Sequence, residues 1–269
     1  MHIITENPSE ALELATQYVI QNGDEISPRG MATKELLNAT IQIEKPWNIP
    51  VNMENRKLNH KIGINEALQL VGQVTDPEVM SDTSSVFNRF LDGGIFHGAY
   101  GPRIHGNLTT VVEQLKKDNS TRQAILTIFN SDKDLGVDVK DVPCTLNLQY
   151  FIRNNKLTAR TNMRSNDVFL GLPYDLTQFI ALQGAIAKAL DIEMGPYVHV
   201  VGSLHIYDQH ISEAQWIKAA FNGSFKDYEP MWSGSTIGEI SSTARSILKG
   251  KTPIKMTNFE RFLVGSKND

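Results

Sequence analysis

The chain has 269 residues, 41% of them hydrophobic, which suits one large domain or two small ones around a substantial core and excludes a fibrous or disordered protein. A formal charge of −4 argues against a protein built to hold a nucleic-acid polymer, while a local basic pocket for one small anion stays compatible with it. The single cysteine, Cys144, excludes an intramolecular disulfide and agrees with a reducing compartment.

The N-terminus opens polar, without a basic segment leading into an apolar one, so no signal peptide is expected. No apolar run reaches the length of a bilayer crossing, which predicts a soluble, cytoplasmic protein with no membrane partner. The glycosylation-like triplets at Asn38, Asn107, Asn119 and Asn222 are then chance. Asn7 as an N-cap, Pro8 at the first helical position and Gly23 as a stop predict a helix over residues 8–22. A polar loop around Arg29 leads into a strand ending near Glu44-Lys45-Pro46, and residues 65–72 read as a helix. Glycine-rich loops fill residues 81–106, an amphipathic helix follows over 108–117, and a short buried strand over 124–129. Residues 146–152 and 157–163, separated by Arg153-Asn154-Asn155-Lys156, read as a hairpin. Residues 176–190 are apolar nearly all round, as a central helix requires; a strand over 198–202, a helix over 212–221 and peripheral structure complete the chain. No repeat, linker or charge block divides it, so residues 1–269 are read as one α+β domain.

Four places could carry chemistry. A lone cysteine is commonly a small buried hydrophobe; Cys144 becomes a nucleophile if a cation lowers its pKa, and Arg164 lies on the following strand of the hairpin. Arg164-Ser165-Asn166-Asp167 is either a salt-bridged turn or a phosphate fork beside groups that meet a polar ligand edge. His205 and Tyr207 alternate on one strand face and fit either sugar hydroxyls or the core, while a metal would need a Cys pair or a His-Glu-x-x-His run that the chain lacks. Glu66 is a solvated first-turn residue or, in a closed cavity, a proton carrier with a raised pKa, and periodicity does not choose between these.

Taken in order, Pro143-Cys144, then the segment from Arg164 to Asp175 (RSNDVFLGLPYD), then that from Gly202 to His210 (GSLHIYDQH) resemble the thymidylate synthase family, with support from STRQAIL, AYG and Glu66. The resemblance implies a mixed β-sheet with flanking helices and a homodimer formed through the sheet. It further implies that the Cys144 thiolate attacks C6 of a pyrimidine nucleotide, so that C5 takes a one-carbon unit from 5,10-methylenetetrahydrofolate. Arg29, Arg164 and the partner subunit's Arg122 would hold the 5′-phosphate. Ser165 would belong to the same nucleotide site, His205 and Tyr207 would meet the sugar, Asp167 the pterin, Glu66 would manage protons through water, and Tyr100 would sit by C5.

The departures from that family are informative. Asp175 stands where synthases carry asparagine: an amide matches uracil, whereas a carboxyl group accepts from the cytosine amino group and, when protonated, donates to N3. The stretch that should supply water-excluding tryptophans reads Ser85-Val86-Phe87-Asn88-Arg89-Phe90, and the final residues lack the apolar tail of the synthases, so water is expected to reach the transferred carbon. Thr145 follows Cys144 where synthases have histidine, and Gln123 replaces a second phosphate-binding arginine. Asp175, the 85–90 stretch and Thr145, though not Gln123, resemble the deoxycytidylate 5-hydroxymethylase branch, as do residues 162–168 and 201–205, and imply a cytidine monophosphate, deoxyribose or ribose, as substrate. Reductive methylation of a uridylate or cytidylate, and nucleotide binding without catalysis, are the alternatives.

Overall fold

The computed structural model describes residues 1–81, 87–220 and 227–268. In chain order the elements are β1 (His2–Thr5), α1 (Pro8–Asn22), β2 (Asp24–Ile26), β3 (Thr33–Ile43), α2 (His60–Val71), α3 (Pro77–Ser81), α4 (Tyr100–Ile104), α5 (Asn107–Lys117), β4 (Ile125–Thr127), α6 (Ser131–Asp134), β5 (Thr145–Arg153), β6 (Lys156–Asp167), α7 (Leu172–Ala189), β7 (Glu193–Tyr207), α8 (Asp208–Ala214), α9 (Ile237–Leu248) and α10 (Asn258–Asn268). The strands form one mixed sheet in the order β1-β3-β7-β6-β5-β4, with β2 also paired to β3. β1 runs parallel to β3 and β6 parallel to β7; the other neighbours are antiparallel.

α1 begins as expected, with the Asn7 side chain accepting from the backbone of Ser9 and Glu10. The hairpin between β5 and β6 closes on Asn154 and Asn155, both at positive φ, a geometry that asparagine tolerates and a two-residue turn requires. Several elements differ from the sequence expectation. β1 was not expected, because four residues are too few to set a period. α4 falls within the stretch read as loops. β7 runs over fifteen residues rather than five, and so carries both His205 and Tyr207. The helix expected over 212–221 is α8 and ends at Ala214; Phe221 lies outside the described residues.

Two boundaries matter for chemistry. α2 starts at His60 rather than Asn65, so Glu66 sits in mid-helix and not in a solvated first turn. α7 starts at Leu172, with Pro173 in its opening turn, so the Gly-Leu-Pro segment leads directly into helix and Asp175 belongs to the first turn. α7 is buried along nearly all its length, packed between the sheet and the helices α2 and α9, and Trp232 donates its indole N–H to the Ala181 carbonyl. No helix among the described residues is long and apolar enough to cross a membrane.

The sheet has two unlike faces. The row Ile41, His199, Thr161, Leu148, Leu126 is buried beneath the helices. The neighbouring rows point the other way: Thr40, Val200, Asn162, Asn147 and Thr127, then Gln42, Val198, Arg160, Gln149 and Ile125. All ten of these residues are partly or fully exposed.

Candidate active site

A cavity of about 640 Å³ opens where α2, α4, the 139–144 segment, the C-terminal ends of β6 and β7 and the start of α7 converge. Arg29, Glu66, Tyr100, Cys144, Arg164, Ser165, Asp167, Asp175, His205 and Tyr207 all line it. Residues spread over nearly 180 positions are thus gathered by the topology. Arg122 does not line the cavity; it is exposed just before β4, and its carbonyl accepts from Gln149 Nε2 on the open sheet face.

Cys144 ends the segment that enters β5. Its carbonyl accepts from the Arg164 backbone N–H at 2.8 Å, while Arg164 Nε and Nη2 donate to the carbonyls of Pro143 and Val142 at 3.0 and 2.9 Å. The guanidinium therefore braces the cysteine segment as well as facing the cavity. Burial raises the thiol pKa; Arg164 and, more weakly, Arg29 pull it down, while Asp175 and Asp141 push it further up. The cation expected beside the thiol is present, but the net direction is upward, because burial outweighs it. Arg29 reaches the cavity from a left-handed backbone conformation at φ 54°, with Gly30 after it at φ 78°.

Asp175 is nearly buried, and its two oxygens accept from Gln178 Nε2 at 2.9 Å and Asn166 Nδ2 at 2.8 Å. Burial nonetheless lifts its pKa to about 7. Gly171 allows this approach: a Cβ there would stand 3.0 Å from Asn166 Nδ2 and 3.4 Å from Asp175 Oδ2. Glu66 faces the same space, and burial, then the charges of Asp175 and Asp141, push it up to about 8. Glu66 can therefore carry a proton near neutral pH, the second of its two readings.

Tyr100 presents its hydroxyl 3.0 Å from Thr145 Oγ1, and burial together with Asp175 and Cys144 keeps it neutral. Its helix is fixed by Arg103, which donates to both Asp134 oxygens and to the carbonyls of His97 and Ile128. The rings of His205 and Tyr207 meet edge to face at 5.4 Å, and His205 Nδ1 lies 3.4 Å from Ser165 Oγ. Asp167 Oδ1 accepts from the backbone of Phe169 and Leu170, both at 2.8 Å, whereas its buried Oδ2 has no hydrogen-bond partner among the described residues. The Arg56 guanidinium stacks 3.6 Å over the Phe169 ring and steadies this corner.

Three contributors escaped the sequence reading as site residues. Gln178 lies three positions after Asp175, a signal that becomes visible once both are placed in one helix. Asn166 was read only as part of its polar cluster. Asp141, in the polar Val-Lys-Asp-Val segment, gives no local sign; its carboxylate packs where a Cβ on Gly98 would fall 2.2 Å away. In the stretch expected to replace the tryptophans, Ser85 and Val86 lie outside the described residues, while Phe90 lines the cavity beside Phe96. Among the described residues no cluster of His, Cys, Asp and Glu suits a metal ion.

The family model described as thymidylate synthase matches residues 12–219. The chain is 32% identical over 207 residues to the deoxyuridylate hydroxymethyltransferase of Bacillus phage SP01, a match covering 70% of this chain and 54% of that protein. It therefore spans about half the length of the curated relative it matches.

Proposed function

Because the chain belongs to the thymidylate synthase family, we propose that it transfers a one-carbon unit to C5 of a cytidine monophosphate and completes the reaction with water, giving a 5-hydroxymethyl product. The observation that carries this reading is Asp175, a carboxyl group held on both oxygens by amide donors at the cavity wall. With its proton it donates to cytosine N3 and accepts from the N4 amino group. An unsatisfied buried partner costs about 1–3 kcal/mol, enough for one to two orders of magnitude in preference.

Cys144 supplies the thiolate that adds to C6, so that the electron pair of the C5–C6 bond becomes available at C5. Arg164 and Arg29 stabilise that thiolate and hold the 5′-phosphate, together with the partner subunit's Arg122. Ser165, His205 and Tyr207 meet the sugar, and Tyr100 stands near the reacting carbon. The co-substrate, 5,10-methylenetetrahydrofolate, supplies a carbon at the oxidation level of formaldehyde. Asp167 suits its pterin, because a buried, unpartnered carboxylate oxygen on the cavity wall asks for N–H donors. Glu66, protonated below about pH 8, holds and relays protons around the base and orders the water that ends the reaction. Loss of the C5 proton and departure of tetrahydrofolate from the transferred carbon leave an exocyclic methylene at C5; addition of that water's oxygen to it, with return of the C5–C6 double bond and loss of the thiolate from C6, gives the hydroxymethyl product and consumes no hydride.

A homodimer belongs to this reading. The open sheet face mixes Val198, Val200 and Ile125 with amide, hydroxyl and guanidinium groups, and Arg122 sits at its edge. A second copy laid on that face would bring its own Arg122 towards this cavity.

A second reading, hydroxymethylation of a deoxyuridylate, is favoured by the phage relative's activity as named. One assay separates them: incubation with methylenetetrahydrofolate and an equimolar mixture of dCMP, CMP and dUMP, followed by mass analysis. A hydroxymethyl adduct on a cytidylate with tetrahydrofolate left unoxidised is the expected result, and it also identifies the sugar. An adduct on dUMP establishes the second reading, a methyl adduct with dihydrofolate indicates reductive chemistry, and no adduct leaves nucleotide binding alone.

A further inference from the structure

Behind Asp175 and Asn166 runs a line of buried polar side chains that do not themselves line the cavity. His199, fully buried in mid β7, places Nε2 at 3.0 Å from Asn166 Oδ1 and Nδ1 at 2.9 Å from the Tyr197 hydroxyl. That hydroxyl is 2.9 Å from Thr161 Oγ1, on the strand position paired with His199. Such a line is costly to bury unless every member is satisfied, and here the satisfaction has one direction.

The direction follows from counting protons. Asn166 turns its amide nitrogen to Asp175, so its oxygen faces His199 and must accept. His199 is therefore protonated on Nε2, and, being neutral because burial lowers its pKa to about 3, it carries no proton on Nδ1. Nδ1 is then an acceptor, and of the groups around it only the Tyr197 hydroxyl, which also meets Thr161 Oγ1, has a proton to offer it. Tyr197, His199 and Asn166 thus line up as donors towards Asp175, and Gln178 donates from the other side.

We propose that His199 is a positioning residue for base recognition: by holding the Asn166 amide in one orientation, it leaves both hydrogen-bond partners of the Asp175 carboxyl among the described residues as donors, so that any proton on Asp175 is offered to the bound base. In the opposite tautomer His199 would ask Asn166 for a donor. The amide would then flip, its oxygen would face Asp175, and the carboxyl proton would be spent on Asn166 instead of N3 of the ring. Neither His199 nor Tyr197 lines the cavity, so both act on the base only through Asn166 and Asp175.

This inference rests on the reading of Asp175 as the cytosine partner, and the test separates the two. Affinities for dCMP and dUMP are measured by titration calorimetry for the wild type, His199→Phe, His199→Gln and Tyr197→Phe, with circular dichroism to confirm folding. The wild type is expected to prefer dCMP. His199→Phe and Tyr197→Phe should lower that preference about tenfold, the worth of one buried hydrogen bond, and His199→Gln, which keeps a donor and an acceptor, should restore most of it. Preference retained in both Phe variants overturns the inference alone, as does equal loss in the Phe and Gln variants of His199, which would indicate packing. Equal wild-type affinity for the two nucleotides overturns the reading of Asp175 and this inference with it. Should His199→Phe fail to fold, Tyr197→Phe, which removes a single oxygen, decides.

Discussion

Gln178 Nε2 donates to Asp175 Oδ1 at 2.9 Å from three residues further along the same helix, and Asn166 closes the opposite oxygen at 2.8 Å. The carboxyl group is thereby fixed at the cavity wall. Under the proposed function, its remaining lone pairs, and its proton when present, are what a bound base would meet. Asp175→Asn would set an amide nitrogen against one of these two donors, and would present uracil with the complementary edge. The ratio of kcat/KM for dCMP over dUMP is expected to fall at least about tenfold. An unchanged ratio in steady-state assays would remove Asp175 from base recognition.

Cys144→Ala should abolish product formation, by on the order of 10⁴-fold or more, while nucleotide affinity measured by calorimetry stays within a few-fold of wild type. In the free enzyme, burial keeps the thiol protonated at neutral pH against the pull of Arg164 and Arg29. Alkylation of Cys144 by iodoacetamide should therefore be slow at pH 7 and accelerate only above the range of an ordinary thiol, near pH 8.5. Fast alkylation at pH 7 would contradict that balance.

Glu66 gives a prediction for stability. Its carboxyl is raised from 4.5 to about 8 in the folded protein, so the native state holds a proton that the unfolded chain releases. Its contribution is fully present below about pH 4.5 and is lost as pH rises through about 8, with a slope of up to about 1.4 kcal/mol per pH unit. Glu66→Gln removes the titration. Urea denaturation between pH 5 and 9 should show a wild-type stability that declines relative to the variant; parallel curves would mean that Glu66 is already ionised at pH 5.

The shared site of the proposed homodimer is tested by subunit exchange. Arg122→Ala dimers mixed with Cys144→Ala dimers form hybrids in which one cavity has an intact Cys144 and an intact Arg122 from opposite chains. With random exchange, half the dimers are hybrid and each has one complete site, so activity should return to about a quarter of wild type. Failure to recover any activity, with exchange verified by mass spectrometry of labelled subunits, would rule out a phosphate contact by Arg122 across the dimer.

Local order along the chain already specified much of the fold and most of the candidate site. The N-cap at Asn7, the Asn154-Asn155 turn and the apolar run of α7 are short-range signals, and the structure contains each. The family resemblance carried by the motifs around Cys144, Arg164 and His205, with Arg29, Glu66 and Tyr100 from other segments, pointed to eleven residues, of which ten meet in one cavity and Arg122 does not line it. Burial was another matter. That Glu66 sits in mid-helix with a carboxyl lifted to about 8, that the Cys144 thiol is pushed up rather than down, and that Asp175 is closed by Gln178 and Asn166 depend on which side chains remove water from which charge. So does the line from Tyr197 through His199 to Asn166, whose members meet only because β6 and β7 run parallel in that register. Periodicity and motif are properties of neighbours in sequence, and those belonged to the chain alone. Desolvation and hydrogen-bond direction are properties of neighbours in space, and only the folded packing decided them.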